Sequence, residues 1–254
     1  MDSSSVHDQT IRSDATYSSA RTFYRMGGIA AFVLIAYSLA TIVQMLVLGG
    51  QPANAAEAFS LLQKNKLIGL LRLDLPTVLV MPRYYVLFLG RFAVLRRTDR
   101  AITTLSTLLV FVGVTLLLST PTALSMLPLS QKYASATTEA LRMQYLAAGE
   151  IILATDIWHG TGAILGGILA QCGAVLISVV MLRSNIFSKA TAYLGIVVHG
   201  LDSAHIVAGL FLPAFGVVLM AIAGPLYPIW FFLIGRRLLQ LAANGPGDQA
   251  RNTI

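Results

Sequence analysis

The chain has 254 residues, of which 56% are hydrophobic and only 11% are charged, and its formal net charge is +7. Soluble domains carry about 25% charged residues, so this composition excludes an ordinary soluble domain and indicates a protein that is embedded in a lipid bilayer. The basic residues stand in short clusters between apolar runs, without a zinc motif or a long basic helix, which argues against nucleic-acid binding.

The chain begins with a polar, Ser-rich stretch over 1–22, which predicts a disordered tail. The apolar run 27–49 is longer than the roughly 7–15 residues of a signal-peptide core and long enough to cross a bilayer. It ends at Gly49, Gly50 and Pro52, which are typical helix-stop residues. We therefore expect a retained first spanning helix.

The second apolar run, 67–90, contains Pro76 and Pro82, and each proline removes a helix hydrogen bond. We therefore expect the second span to be kinked or locally unwound. The third run, 101–120, stops at Pro121, and the stretch 137–156 has the periodicity of an amphipathic helix that lies at the membrane interface.

Three more spans follow. The fourth, 158–182, carries Gly162 and Gly166, a small-residue pair that lets helices approach closely, either inside the bundle or across a homodimer. The fifth and sixth occupy 190–212 and 213–238, and a polar tail covers 243–254. The predicted fold class is an all-α bundle with six transmembrane spans.

The distribution of basic residues predicts the orientation of the bundle. With both termini in the cytoplasm, the cytoplasmic segments hold twelve of the eighteen basic residues, including those of 91–100, and the outer loops hold four. Such an excess is what the positive-inside rule predicts. We therefore expect cytoplasmic termini.

Several ionisable residues lie within or beside the predicted spans, where each costs at least about 2.5–3.5 kcal/mol to insert at the bilayer centre. In this orientation they share the outer half of the bilayer, and acids outnumber bases among them. They are Arg72, Asp74, Glu150, Asp156, His159, His199, Asp202 and His205. We expect them to form a polar pocket that opens toward the outer leaflet.

Aspartate and histidine recur at a spacing of three residues, which places both side chains on one helix face. Asp156 and His159 form one such pair, and Asp202 has His199 and His205 on either side. Imidazole with carboxylate suits zinc or another divalent metal, for which His159, Asp202 and His205 are the candidate ligands. Structural pairing between helices is the alternative explanation.

Several segments resemble one bacterial family of integral membrane proteins, catalogued as domain of unknown function 4386. They are LLRLDL, PRYYVLF, ATDIWHGTGAILGG, VVMLRSNIFSKATAYLGIV and AGPLYPIWFFLIGRRLLQL, and the resemblance covers about 22–242. It implies a six-span protein of the bacterial inner (plasma) membrane. It implies no reaction, cofactor or catalytic residue.

Three functions stay open on these grounds. The leading one is binding or transport of a small solute or proton in the polar pocket, with surrounding lipid as the other contact. The second is a metal-dependent hydrolase that acts on lipid within the membrane. The third is a structural or regulatory membrane partner without pocket chemistry.

Overall fold

The computed structural model describes the backbone of residues 3–244 and the side chains of residues 20–244, and all its regular elements in this part are α-helices. The helices are α1 (Ser3–Leu48), α2 (Ala55–Lys64), α3 (Lys66–Arg72), α4 (Leu75–Val80), α5 (Arg83–Leu95), α6 (Arg100–Leu118), α7 (Ala123–Ser135), α8 (Glu139–Ala154), α9 (Thr161–Arg183), α10 (Lys189–Phe211) and α11 (Pro213–Ala243).

Six helical segments are long and apolar enough to cross a membrane, which confirms the all-α, six-span prediction. They are Ala20–Leu48, Leu75–Leu95, Arg100–Ser135, Thr161–Arg183, Lys189–Phe211 and Pro213–Ala243. Leu46, Val47, Phe211 and Val217 are among the large apolar side chains that remain on their outer surface. Such side chains suit contact with lipid tails.

The predicted disordered tail differs from the structure, in which α1 is helical from Ser3 and its apolar part begins at Ala20. The stretch 3–26 contains neither proline nor glycine, so no residue in it interrupts the helix. At the other end, α11 extends the sixth span to Ala243, and the rest of the predicted C-terminal tail, 245–254, lies outside the described residues.

The second span is broken, as its prolines predict, but its predicted bounds of 67–90 are wrong. The chain leaves helical structure at 73–74 and again at 81–82, and the spanning part is Leu75–Leu95. Pro76 lies in the first turn of α4 and Pro82 is the N-cap of α5, two positions where a missing backbone N–H costs little. The segment α3 therefore lies before the span.

The spans pack as a closed ring. Each spanning segment packs most extensively against two others, in the order α1, α5, α6, α9, α10, α11 and back to α1. One apolar cluster fills this ring, with Leu34, Phe88, Val110, Ile177 and Trp230 among its members. We call this the ring core.

A second, smaller apolar cluster lies outside the ring core, and two of its helices were not expected from the sequence. Helices α2, α3, α7 and α8 pack together through Phe59, Leu62, Leu73 and Met126 and the residues around them. Helices α2 and α7 lie in the segments between the predicted spans for which no helix was predicted, whereas α8 occupies most of the predicted amphipathic helix at 137–156. We call this four-helix unit the cap.

The glycines of α9 are used inside the chain. A Cβ atom on Gly166 would lie 2.6 Å from the carbonyl oxygen of Gly113 in α6, and one on Gly162 would meet Leu116 of the same helix. Ser106 of α6 also donates to the carbonyl oxygen of Gly173 at 2.7 Å. Helix α6 therefore covers the Gly162 and Gly166 face that was considered for a homodimer.

Candidate functional site

The structure does not bring the eight predicted pocket residues together, and the first three hold the cap in place. Arg72 lies at the end of α3. Its Nη2 donates to Glu57 Oε1 at 2.9 Å and its Nε to the carbonyl oxygen of Gly50 at 2.7 Å. The backbone N–H of Ala53 and, to a smaller extent, Arg72 hold the pKa of Glu57 below its ordinary value. Arg72 thus ties the cap to the end of α1.

Asp74 is completely buried and acts as a helix cap. Its Oδ2 accepts hydrogen bonds from the backbone N–H of Thr122 at 2.5 Å and from the Thr122 hydroxyl at 2.9 Å, and its Oδ1 accepts from the N–H of Ala123 at 2.8 Å. These groups open α7, where a negative charge is favourable. Glu150 plays the same part at α2, whose first N–H, that of Ala55, donates to Glu150 Oε1 at 2.8 Å.

Asp156 and His159 form a local turn instead of a pocket wall. Asp156 Oδ1 accepts from the backbone N–H groups of Trp158 and His159, at 2.8 and 2.7 Å, and lies 2.9 Å from His159 Nδ1. The His159 side chain is 67% exposed. This pair shapes the loop between α8 and α9.

His205 has a separate partner, since its Nδ1 lies 2.9 Å from the carbonyl oxygen of Gly216, across the turn between α10 and α11. Among the residues that the structure describes, no group of three or more His, Cys, Asp and Glu side chains is placed to hold a metal ion. The structure therefore does not bring His159, Asp202 and His205 together as one ligand set, nor the eight residues into one outer pocket. Sequence spacing placed these residues at similar depth but could not show which neighbouring helix each side chain faces.

The fifth span retains a polar centre, which is joined to side chains that the sequence analysis missed. Asp202 Oδ2 accepts hydrogen bonds from Gln171 Nε2 at 2.5 Å and from the Tyr227 hydroxyl at 2.7 Å. Gln171 Oε1 lies 2.6 Å from Nδ1 of His199 and 3.2 Å from the Tyr227 oxygen. Three helices, α9, α10 and α11, thus contribute to one connected chain of hydrogen bonds, which we call the polar relay.

The hydrogen positions in the relay follow from its acceptors. Gln171 donates with its amide nitrogen to Asp202, so its oxygen is the acceptor that faces His199. The neutral imidazole therefore carries its hydrogen on Nδ1, and Nε2 keeps a free lone pair.

The relay lies in the middle of the bundle. Gln171 and His199 are each the eleventh residue of a 23-residue helix, and Tyr227 is the fifteenth of 31. At 1.5 Å of rise per residue, Gln171 and His199 lie about 15 Å from the nearer helix end, half the thickness of the hydrocarbon layer, and Tyr227 lies about 21 Å from it. Asp202 is the only acidic residue within the six spanning segments.

Arg91 also lies inside the bundle, which corrects its assignment to a cytoplasmic loop. Helix α5 continues to Leu95, and the Arg91 side chain is fully buried. Its guanidinium reaches across the ring to Met181 of α9 and Trp230 of α11, neither of which belongs to a helix next to α5. The sequence contains one signal of this position. No glycine or proline follows Arg91 to end the helix, so the helix could continue for another turn beyond it.

Two of the four relay residues, Gln171 and Tyr227, are uncharged, so neither charge nor the spacing of Asp and His points to them. A useful signal for Gln171 and Tyr227 would have been a hydrogen-bonding side chain near the centre of an apolar span, since such groups require partners in lipid. No family model, no curated protein and no solved structure matches this chain.

Proposed function

We propose that this protein binds and relays protons within the membrane, as part of a small-solute binding or transport function. The observation that supports the proposal is the polar relay, in which the only acidic residue of the spans is hydrogen-bonded through Gln171 and Tyr227 to a buried histidine. Buried titratable groups at this depth are costly and typically serve a function.

The relay is suited to protons for a chemical reason. Asp202 has two states, because uptake of a proton removes the charge that is costly in a low-dielectric surrounding. His199 exposes two different nitrogens, of which Nδ1 belongs to the relay while Nε2 points away from it. An imidazole that takes a proton on one nitrogen and releases one from the other passes a proton without rotating.

The groups that influence the charge state of the relay come from several helices. His205 lies one turn after Asp202 in α10, and Tyr84 of α5 packs on Phe231, as Tyr227 does. Arg91 of α5 lies against Trp230, whose ring packs on His199. A pH response of the relay therefore reports on six titratable or charged side chains, namely Tyr84, Arg91, His199, Asp202, His205 and Tyr227.

The setting of this function is also a proposal. The excess of basic residues in the predicted cytoplasmic segments supports cytoplasmic termini, and the excess remains when Arg91 is no longer counted as cytoplasmic. The resemblance to the bacterial family catalogued as domain of unknown function 4386 supports the plasma membrane. Neither argument assigns a substrate.

Proton flux into liposomes tests the proposal. The purified protein is reconstituted with a pH-sensitive dye inside, and a potassium gradient with valinomycin drives protons inward. We expect the wild-type protein to acidify the lumen and Asp202→Asn to reduce the rate at least about tenfold, as loss of a proton-transfer group does. The matched control, Glu139→Gln, removes an acid whose side chain is 77% exposed and should leave the rate unchanged.

Two results would contradict the proposal. One is a wild-type rate no higher than that of empty liposomes, and the other is an Asp202→Asn rate equal to that of Glu139→Gln. In either case the relay would be a structural network between helices, which is the alternative interpretation of buried polar pairs.

A further inference from the structure

Beside the relay, the guanidinium of Arg91 is buried without a negative partner. Its Nη2 donates to the sulfur of Met181 at 3.3 Å, a weak acceptor, whereas Nε and Nη1 have no acceptor within the described residues. The group stacks between two aromatic rings, with Cζ 4.6 Å from the centre of Phe88 and 4.8 Å from that of Trp230. Arg91 therefore retains two nitrogens, Nε and Nη1, whose N–H groups have no acceptor.

Two further buried polar atoms without partners lie close by, one on Trp230, whose ring lies against this guanidinium, and one on His199, whose ring packs on Trp230. They are Nε1 of Trp230 and Nε2 of His199, and the two rings pack edge to face at 4.5 Å between their centres. Of the five such side-chain atoms in the described part of the chain, four belong to Arg91, Trp230 and His199. Unpartnered polar atoms are rare in folded proteins, so their concentration in one place calls for a ligand.

The chemistry of these atoms identifies the class of ligand. Arg91 and Trp230 offer only N–H donors, and His199 becomes a further donor when Nε2 takes a proton. No acidic side chain of the described residues lies within salt-bridge distance of Arg91, and Asp202 is engaged by Gln171 and Tyr227. A buried cation without a counter-charge costs several kcal/mol. The matching ligand is thus a compact anion that accepts hydrogen bonds.

We propose that Arg91, Trp230 and His199 form a binding site for a small monovalent carboxylate. A carboxylate accepts two parallel hydrogen bonds from a guanidinium fork, and Phe88 and Met181 supply the apolar wall that suits a short hydrocarbon part. This inference rests on the proposed function, because His199 belongs to both sites. A proton that reaches Nε2 adds a donor to the anion, so proton and carboxylate bind together.

Tryptophan fluorescence provides the test, since the chain has two tryptophans and Trp158 is exposed in the loop before α9. In the Trp158→Phe protein, Trp230 alone reports. The purified protein in neutral detergent is titrated with sodium acetate, with sodium sulfate holding the ionic strength constant. We expect a saturable change, and weaker binding at high pH than at low pH.

The variants assign the binding to Arg91. Arg91→Gln should weaken acetate binding about 10- to 100-fold, as expected for loss of a charge-assisted pair of hydrogen bonds. Arg83→Gln is the matched control, because it makes the same charge change on the same helix at an exposed residue, and should bind like the parent. If Arg91→Gln does not fold by circular dichroism, Arg91→Lys is used, which keeps the charge but loses the fork and should also weaken binding.

The remaining outcomes would either overturn or support the acetate site. Absence of a saturable signal in the parent protein, or equal acetate affinities in the parent and both Arg91 variants, would overturn the site. A response to added phosphatidylglycerol but none to acetate would assign the cation to lipid headgroups and overturn it as well. If Asp202→Asn still binds acetate and its proton flux equals that of the wild type, the anion site is supported and the proton relay is contradicted.

Discussion

Replacement of Asp74 by alanine should detach the cap from the spanning bundle. The carboxylate accepts three hydrogen bonds at the start of α7, and the side chain is fully buried. Alanine leaves two backbone N–H groups buried without an acceptor, and each such group costs about 1–3 kcal/mol. We therefore expect a loss of about 3 kcal/mol in the free energy of unfolding, above the roughly 1 kcal/mol of an ordinary N-cap.

The matched control is Asp99→Ala. Asp99 is the N-cap of α6 and accepts from the N–H of Ile102 at 3.0 Å, but its side chain is 24% exposed, so water replaces the lost acceptor. At about 2–4 °C per kcal/mol for a chain of this size, Asp74→Ala should lower the thermal midpoint in detergent by about 6–12 °C and Asp99→Ala by about 2–4 °C. Both variants are compared at one scan rate.

Hydrogen exchange then locates the change. In Asp74→Ala, amides of α7 should exchange faster while those of α10 and α11 keep their wild-type rates, because the cap and the ring core are separate clusters. Equal midpoints for the two variants would refute the claim that Asp74→Ala leaves the buried N–H groups of Thr122 and Ala123 without an acceptor. Faster exchange throughout α10 and α11 would refute the separation of the two clusters.

Two more stability predictions follow from single contacts. The pKa of Glu57 is lowered, chiefly by the N–H of Ala53. The ionised carboxylate therefore stabilises the fold at pH values above its ordinary pKa of 4.5, and this contribution is lost as the pH falls through the lowered pKa. Glu57→Gln should therefore have a lower thermal midpoint than the wild type at neutral pH, and the two midpoints should converge once the pH falls below the lowered pKa of Glu57. A difference that stays constant across the pH range would contradict this. Gly166→Ala should cost about 1–3 kcal/mol, because its Cβ would meet a backbone oxygen of α6, whereas Gly200→Ala, with nothing within 4 Å, should be neutral or stabilising by up to about 1 kcal/mol in the same melts. Equal effects of the two glycine variants would show that α6 and α9 do not pack this closely.

The apolar runs were sufficient to predict the spans, because burial of about 20 apolar residues in lipid outweighs local detail. The limits of α9 and α10 differ from the predicted spans by three residues at most. The cap was harder to predict. Helices α2 and α7 are short, and their stability comes from tertiary contacts such as the bond between Asp74 and Thr122, which no local pattern reveals.

The candidate site was predicted in part. Asp202 and His199 were selected because ionisable residues in a span are costly, and both belong to the relay. Their partners Gln171 and Tyr227 are uncharged and stand outside the Asp/His spacing, so neither signal marks them. Arg91 was assigned to a loop, since a basic residue beside a basic cluster looks like the end of a span until the helix is seen to continue to Leu95.

The hydrogen bonds that Asp74 and Glu150 accept within the cap have a consequence for the order in which the protein is assembled. Asp74 meets a partner 48 residues later in the chain, and the first N–H of α2 waits for a glutamate 95 residues downstream. While the ribosome is still synthesising α5 and α6, the short segment α2 has neither its acceptor nor the apolar surface of α8. Closure of this unit therefore follows insertion of the first three spans, and a polypeptide truncated before residue 150 presents α2 unsatisfied to chaperones and proteases.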